Sequence, residues 1–193
     1  MQRRRYRSVL SILVLLGMLI PMDAPVIAAA SWRTVHYQTF EGTFPVGAWV
    51  TYDSSYTSTQ GKWAKASVGF NSAYAVHPRA GVTPYNYNTQ TWMRYGPFSL
   101  AGATNARMLF KYWVDTELGY DFFAWSYSCN GVANWTGGQS VSGNAIGVWK
   151  DVTLSLKPCI GKTTVYVQFT FSSDQSVNYQ GAWLDNVRIQ KYS

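Results

Sequence analysis

The chain has little of what enzymes use. Its 193 residues include two histidines, two cysteines and nine acidic side chains. His36 and His77 stand far apart, and no His-Glu-x-x-His run exists, which excludes a zinc protease of that type. Each His is read as a surface or packed residue and not as a ligand. A Gly-x-Ser-x-Gly nucleophile turn is absent, and no glycine-rich loop leads from a strand into a helix to cradle a phosphate. A glycosidase needs two carboxylates across a cleft. Beyond residue 30 the only acidic candidates are Glu41, Asp53, Asp115, Glu117, Asp121, Asp151, Asp174 and Asp185, and no spacing singles out a pair. These absences point to a protein that is not an enzyme. Apolar spacing at helical period over three turns is also missing, which argues against a helical fold.

Long hydrophobic runs are confined to the N-terminus. Arg3, Arg4, Arg5 and Arg7 precede an apolar run from Val9 to Ile20, broken only by Ser11 and Gly17. Pro21 and Pro25 follow, and then Ala28-Ala29-Ala30. This is the three-part pattern of a secretory signal peptide, residues 1–30, cleaved after Ala30. The alternative is a membrane anchor, but the run has 12 residues, and a span needs about 20. No Cys lies near the cleavage site, which disfavours a lipoprotein. No later segment is apolar enough to span a membrane. The expectation is a secreted or cell-envelope-associated domain over residues 31–193, ending three residues after its last strand without a catalytic neighbour.

Removing the leader takes four Arg and Asp23 and lowers the formal charge from +7 to +4. The remaining 12 Lys and Arg are scattered in sequence, with no cluster beyond Lys62 and Lys65. That pattern predicts a solvated surface and no nucleic-acid partner.

What the mature chain does have is aromatic residues. All nine Trp, all nine Phe and 13 of the 14 Tyr fall within it. Aromatic and β-branched residues favour half-buried pleated surfaces, and Gly, Ser, Thr and Asn between them suit turns. Period-2 alternation marks strands. Met108, Phe110, Tyr112 and Val114 share one face of 106–116. Phe123, Trp125 and Tyr127 do so in 120–128, and Val152, Leu154 and Leu156 in 148–156. In 163–171, Val165, Val167, Phe169 and Phe171 alternate with polar residues. Residues 181–190 carry Trp183 and Val187. Shorter strands are expected within 34–40, 47–52, 62–66 and 73–77. Loops are expected over 53–61, over 77–88 with an aromatic extension to Tyr95, and over 130–147. Eight to ten strands without helices predict an all-β, two-sheet antiparallel sandwich of jelly-roll type. The early and terminal strands are candidates to pair.

Cys129 and Cys159 both sit beside turn residues. In an exported protein such a pair suggests one disulfide, the alternative being two free thiols. Asn134-Trp135-Thr136 matches an N-glycosylation acceptor, relevant only in a host that glycosylates. Carboxylates in an extracellular sandwich suit calcium, which takes six to eight oxygens. Asp115 and Glu117 flank a strand end and Asp121 opens the next strand. The alternative is ordinary solvated turn residues.

The order of motifs carries a resemblance. Phe40-Glu41-Gly42-Thr43-Phe44-Pro45 is followed by Trp49, then Phe110-Lys111-Tyr112-Trp113, Tyr120-Asp121-Phe122-Phe123, Trp135 and Trp149-Lys150-Asp151-Val152-Thr153-Leu154. Gly161-Lys162 precede the strong strand, and Gly181-Ala182-Trp183-Leu184-Asp185-Asn186-Val187-Arg188-Ile189 closes the series. Over Phe40 to Ile189 the chain resembles the MAM-like or cleaved-adhesin-like (choice-of-anchor J type) jelly-roll domains of secreted bacterial proteins. These include accessory domains of immune-inhibitor-A-type metallopeptidases and the adhesin domains of gingipains. The resemblance implies a jelly roll without catalytic residues and, in many members, a calcium site. It implies Glu41 and Asp185 as ligands, and less securely Asp115 and Asp121. Many members carry two aspartates in the last motif. The chain has Asp185-Asn186, and the lost charge should lower affinity.

Three functions compete. The first is a binding or adhesion module that meets a glycan or protein surface with exposed aromatics, for which Tyr85, Tyr87 and Trp92, with Tyr95, and Trp135 are the candidates. Most aromatic rings of a sandwich nonetheless belong to its core. The second is an accessory or structural domain that works with an exported metallopeptidase. The third is a glycan-active enzyme on a similar sandwich.

Overall fold

The computed structural model describes residues 29–54, 62–79 and 83–193. All but the last two residues of the expected leader, and most of the expected 53–61 loop, lie outside the described residues. Eleven strands occur among those described: β1 (Trp32–Gln38), β2 (Trp49–Asp53), β3 (Ala64–Ala66), β4 (Ala75–His77), β5 (Gln90–Phe98), β6 (Asn105–Asp115), β7 (Phe122–Ser128), β8 (Thr136–Val141), β9 (Lys150–Ser155), β10 (Val165–Ser172) and β11 (Gly181–Tyr192). The one helical element among them is a 3₁₀ turn, Lys157–Cys159, entered through Pro158.

The strands form two antiparallel sheets. One runs β3-β4-β11-β6-β9, with β1 following β4 along the same edge of β11; the other runs β2-β5-β10-β7-β8. The chain passes repeatedly from one sheet to the other, so apart from β3-β4 and β7-β8 the neighbours within a sheet are not consecutive in sequence. The first and last strands pair from Trp32↔Tyr192 to Gln38↔Val187.

The alternating residues of β6, β7 and β10 face inward as their period-2 pattern requires. Phe110, Phe123, Phe169 and Phe171 are buried between the sheets with Met93, Met108, Val165, Val167 and Trp125. Full burial of side chains this size stabilises by roughly 1.5–3 kcal/mol each. The rings meet at tilted or edge-on angles, such as Phe110 on Phe169 at 5.1 Å and 85°, the geometry that aromatic quadrupoles favour.

Two expectations are corrected. Residues 90–98 are not loop. They form β5, which joins β2 to β10 inside its sheet. Its inward side carries Thr91 and Met93, both fully buried. The polar Thr, whose hydroxyl donates to the Tyr52 carbonyl at 2.7 Å, and the Gly96-Pro97 pair break the apolar alternation. Residues 130–147 likewise contain a strand, β8, at the sheet edge beside β7. Nearly every β8 residue is exposed, so no face-specific pattern exists to be read. Gly137 is required there: its φ is +65°, and a Cβ would lie 2.0 Å from the Tyr127 ring.

One irregularity sets which side chains reach the surface. In β11, Asp185 pairs with Lys111 and Arg188 with Leu109, so Asn186 and Val187 together face one residue of β6. This is a β-bulge, and it reverses the inside–outside parity of the strand. Before it, Ala182 and Leu184 belong to the core; after it, Val187 and Ile189 do. Trp183 therefore points away from the main core into a satellite cluster with Ala66, Ala75 and Trp113, where the two indoles stack at 3.9 Å and 7°. Asn186 has φ 56°, a conformation Asn tolerates better than most residues.

Candidate functional site

The four carboxylates expected to act together are divided by the fold. Asp121 joins Glu117 and Asp174, with ligand oxygens within 4.8 Å of one another. Glu117 follows β6, Asp121 precedes β7, and Asp174 lies between β10 and β11. Asp121 is fully buried. Its Oδ1 accepts the Asp174 N–H at 2.8 Å, and its Oδ2 accepts the Tyr85 hydroxyl. Burial raises its pKa above the ordinary carboxylate value despite these donors. Ser176 Oγ lies 3.1 Å from Glu117 Oε2 and 2.9 Å from Asp174 Oδ1, its single hydrogen shared between the two carboxylates. Glu117 was named beside Asp115 and Asp121 at this strand end, whereas Asp174 was not among the expected ligands. Nothing in the sequence joins them, because Asp174 comes from another connection of the sandwich.

Glu41 and Asp185 meet elsewhere, across the segment between β3 and β4. Asp185, fully buried, accepts the Phe70 N–H at 2.8 Å, Ser72 Oγ at 3.1 Å and the Asn186 N–H at 2.6 Å. Glu41, at the surface, accepts the Tyr74 N–H at 3.0 Å. Burial raises the Asp185 pKa, and the nearby Glu41 charge adds to the shift. The pair clasps residues 70–74 through backbone donors. Asp115 belongs to neither group of contacts: Oδ2 accepts the Gln180 N–H at 3.2 Å, and Oδ1 is buried without a hydrogen-bond partner among the described residues. The hard oxygen donors at both loci suit calcium in kind.

The aromatic candidates also separate. Tyr85 is not a surface ligand: its ring is fully buried, edge-on to Phe171 at 4.9 Å, and its hydroxyl serves Asp121. A buried Tyr needs a polar partner, and Asp121 supplies it. Tyr87 is exposed on its turn. Tyr95 is half-buried, stacked on His36 at 3.7 Å, which in turn accepts the Trp49 indole N–H at 3.0 Å. Trp135 is half-buried, immediately before β8.

Trp92 lies on the outer face of its sheet, since its neighbours Thr91 and Met93 point inward. It pairs in register with Tyr52 of β2, and the two rings stack at 4.8 Å and 23°. Tyr52 is 49% exposed. Arg94, two residues along the same face, sits 4.8 Å from the Trp92 ring centre. The row continues through Thr170 and Ala124, and the next through Gln168 and Ser126. The result is a rigid aromatic pair bordered by a cation and small polar side chains. Tyr52 and Arg94 were not expected here, because β5 and its register with β2 do not appear in the hydrophobic pattern.

No family model matches the chain, and no curated protein sequence matches it. Its fold is similar to solved structures. The K3 cleaved adhesin domain of Lys-gingipain from Porphyromonas gingivalis matches with a TM-score of 0.59 and 19% identity, over 83% of this chain and 99% of that one. The K1 domain of the same protein gives 0.56 and 19%, over 80% and 96%. TmCBM61, solved in complex with β-1,4-galactotriose, gives 0.50 and 15%, over 80% and 93%. The chain thus has an adhesin-like β-sandwich fold. No helix among the described residues is long and apolar enough to cross a membrane.

Proposed function

We propose that this chain is an exported, non-catalytic binding module that meets a glycan through the Tyr52–Trp92 platform. The observation that carries the reading is the stacked ring pair on the outer sheet face, with Arg94 beside it. A flat, rigid aromatic surface offers contact area at low entropic cost, and Gln168, Thr170 and Ser126 supply hydrogen-bonding groups next to it. The fold likeness to adhesin domains and to a galactotriose-bound module agrees with such a role. Membership of the MAM-like, choice-of-anchor J group, cleavage after Ala30 and an extracellular location are parts of the same proposal. Tyr87 and Trp135 are held as outlying contacts.

Calcium is proposed as a stabilising ion. Glu117, Asp121 and Asp174 would hold it, with the Glu41–Asp185 pair as the second location. Its role would be to tie the β6–β7 and β10–β11 connections together by neutralising carboxylates that otherwise repel.

The test is calorimetric titration of the mature domain with neutral β-linked oligosaccharides, for the natural protein and for Tyr52→Ala and Trp92→Ala. Binding lost in both variants, with unchanged circular dichroism, supports the platform. Binding that survives both substitutions, or its absence across a panel of neutral glycans, sinks it.

A further inference from the structure

The opposite outer face, on the β1-β11-β6-β9 side, carries a groove of about 370 Å³ bordered by Tyr37, Arg107, Lys111, Asn186, Arg188 and Asp151. Its two arginines are far apart in sequence and adjacent in space. Arg107 pairs across the ladder with Gln190, and Arg188 with Leu109. The two arginines are therefore diagonal neighbours, ~7–8 Å apart at their Cα atoms.

Both guanidinium groups are held in place. The Arg107 Cζ lies 4.0 Å from the Trp32 ring centre, and its Nε donates to Gln190 Oε1 at 3.0 Å. The Arg188 Cζ lies 4.1 Å from the Tyr37 ring centre. Tyr37 is fixed in turn by its hydroxyl, which donates to Asn186 Oδ1 at 2.8 Å. The ion pair found among the described residues is Lys111–Asp151 at 2.6 Å, so neither arginine has a carboxylate there. Two like charges are thus oriented by rings and amides and left electrostatically unmatched. An anion would complete such an arrangement with charge-assisted hydrogen bonds.

We propose that this groove binds the acid groups of an anionic polysaccharide. The Arg107–Arg188 pair would accept a carboxylate or sulfate, for which planar guanidinium donors are suited. Asp151, already paired with Lys111, makes the far end unfavourable for an anion and suitable for sugar hydroxyls. The groove is on the other sheet from the Tyr52–Trp92 platform, and its inference does not depend on that reading.

The experiment uses the mature chain and four probes: polygalacturonate as the carboxylate polymer, dextran sulfate as the sulfate polymer, unsubstituted galactan as the neutral control, and phosphatidylserine vesicles as an anionic lipid surface. Binding is measured at low and moderate salt. The expected result is binding to at least one acidic polymer, weakened by salt, and reduced about tenfold or more by Arg107→Gln with Arg188→Gln. Arg107→Lys with Arg188→Lys should retain part of it. A preference for carboxylate over sulfate, or the reverse, identifies the acid group. Equal binding by the natural and double-Gln proteins would overturn the proposal. So would binding of phosphatidylserine vesicles with neither polymer bound, or no binding of any anionic probe.

Discussion

Tyr85 donates its phenolic hydrogen to Oδ2 of Asp121 inside the sandwich, while the Glu117 N–H donates to the Tyr85 oxygen at 3.3 Å. Two residues 36 apart, one expected to bind sugar and the other metal, instead form one buried unit. Removing the hydroxyl leaves a buried carboxylate short of a donor. Tyr85→Phe should therefore destabilise the domain by about 1–3 kcal/mol, measured by urea unfolding, and should leave glycan binding intact. A loss of binding without a loss of stability would return Tyr85 to the surface role.

His77 is fully buried against Trp183 at 4.4 Å. Its Nδ1 accepts the Arg79 N–H at 3.1 Å, which leaves Nε2–H to donate to the Gln180 carbonyl at 2.7 Å. Burial, helped by the Arg79 charge, lowers its pKa to about 4. The unfolded chain binds the proton more readily, so the stabilisation from a neutral His77 is complete above the unfolded value of 6.5 and lost as pH falls toward 4. The raised pKa values of Asp121 and Asp185 act in the opposite sense above the ordinary carboxyl value. Comparison with His77→Gln isolates the histidine. The stability of the natural protein relative to the variant should drop by about 3 kcal/mol between pH 7 and pH 4. A flat difference would show that His77 is not held neutral.

Cys129 and Cys159 form a disulfide with a sequence separation of 30 residues. It ties the end of β7 to the 3₁₀ turn after β9, and Cys159 is fully buried in the core. Replacing both by Ser should cost about 3–4 kcal/mol in the chain-entropy view, visible as a lower denaturant midpoint. An unchanged midpoint would mean that the unfolded chain is already restricted in this region.

Asn186 holds the bulge of β11. Asn186→Ala forces a Cβ-bearing residue without the amide into φ 56° and removes the acceptor of Tyr37. A loss of about 1–2 kcal/mol is expected. Asn186→Gly, which accepts that φ, should lose less. Equal losses in thermal unfolding would place the effect in the hydrogen bond and not in the backbone.

If calcium binds, thermal unfolding with calcium and then EDTA reports it by mass action. At 100-fold excess over Kd the midpoint should rise by about 5–10 °C for a domain of this size. Asp121→Asn and Asp185→Asn then assign the ion. The variant that abolishes the rise marks the occupied locus, and no rise in the natural protein removes the calcium proposal.

Much of this was legible in residue order. Val165, Val167, Phe169 and Phe171 alternate so strictly that only a half-buried strand fits, and the structure buries all four. Residues 106–116 and 120–128 behaved the same way, and the cysteine pair closed as its setting suggested. β5 and β8 were hidden for different reasons. β5 spends an inward position on a threonine satisfied by the neighbouring strand. β8 is an exposed edge, held by backbone pairing that leaves no mark on side-chain pattern.

The sites were less legible because they are products of register. By itself the sequence determined a poverty of catalytic groups, an aromatic-rich all-β chain, a two-sheet sandwich and a paired cysteine. Those follow from composition and local periodicity, which act over a few residues. Only the tertiary structure brought Asp174 to Asp121, set Tyr52 against Trp92, and turned Arg188 outward beside Arg107 by inserting one residue into β11. A ladder joins strands far apart in the chain, and a one-residue shift reverses every side chain beyond it, so no local pattern could have fixed which residues meet.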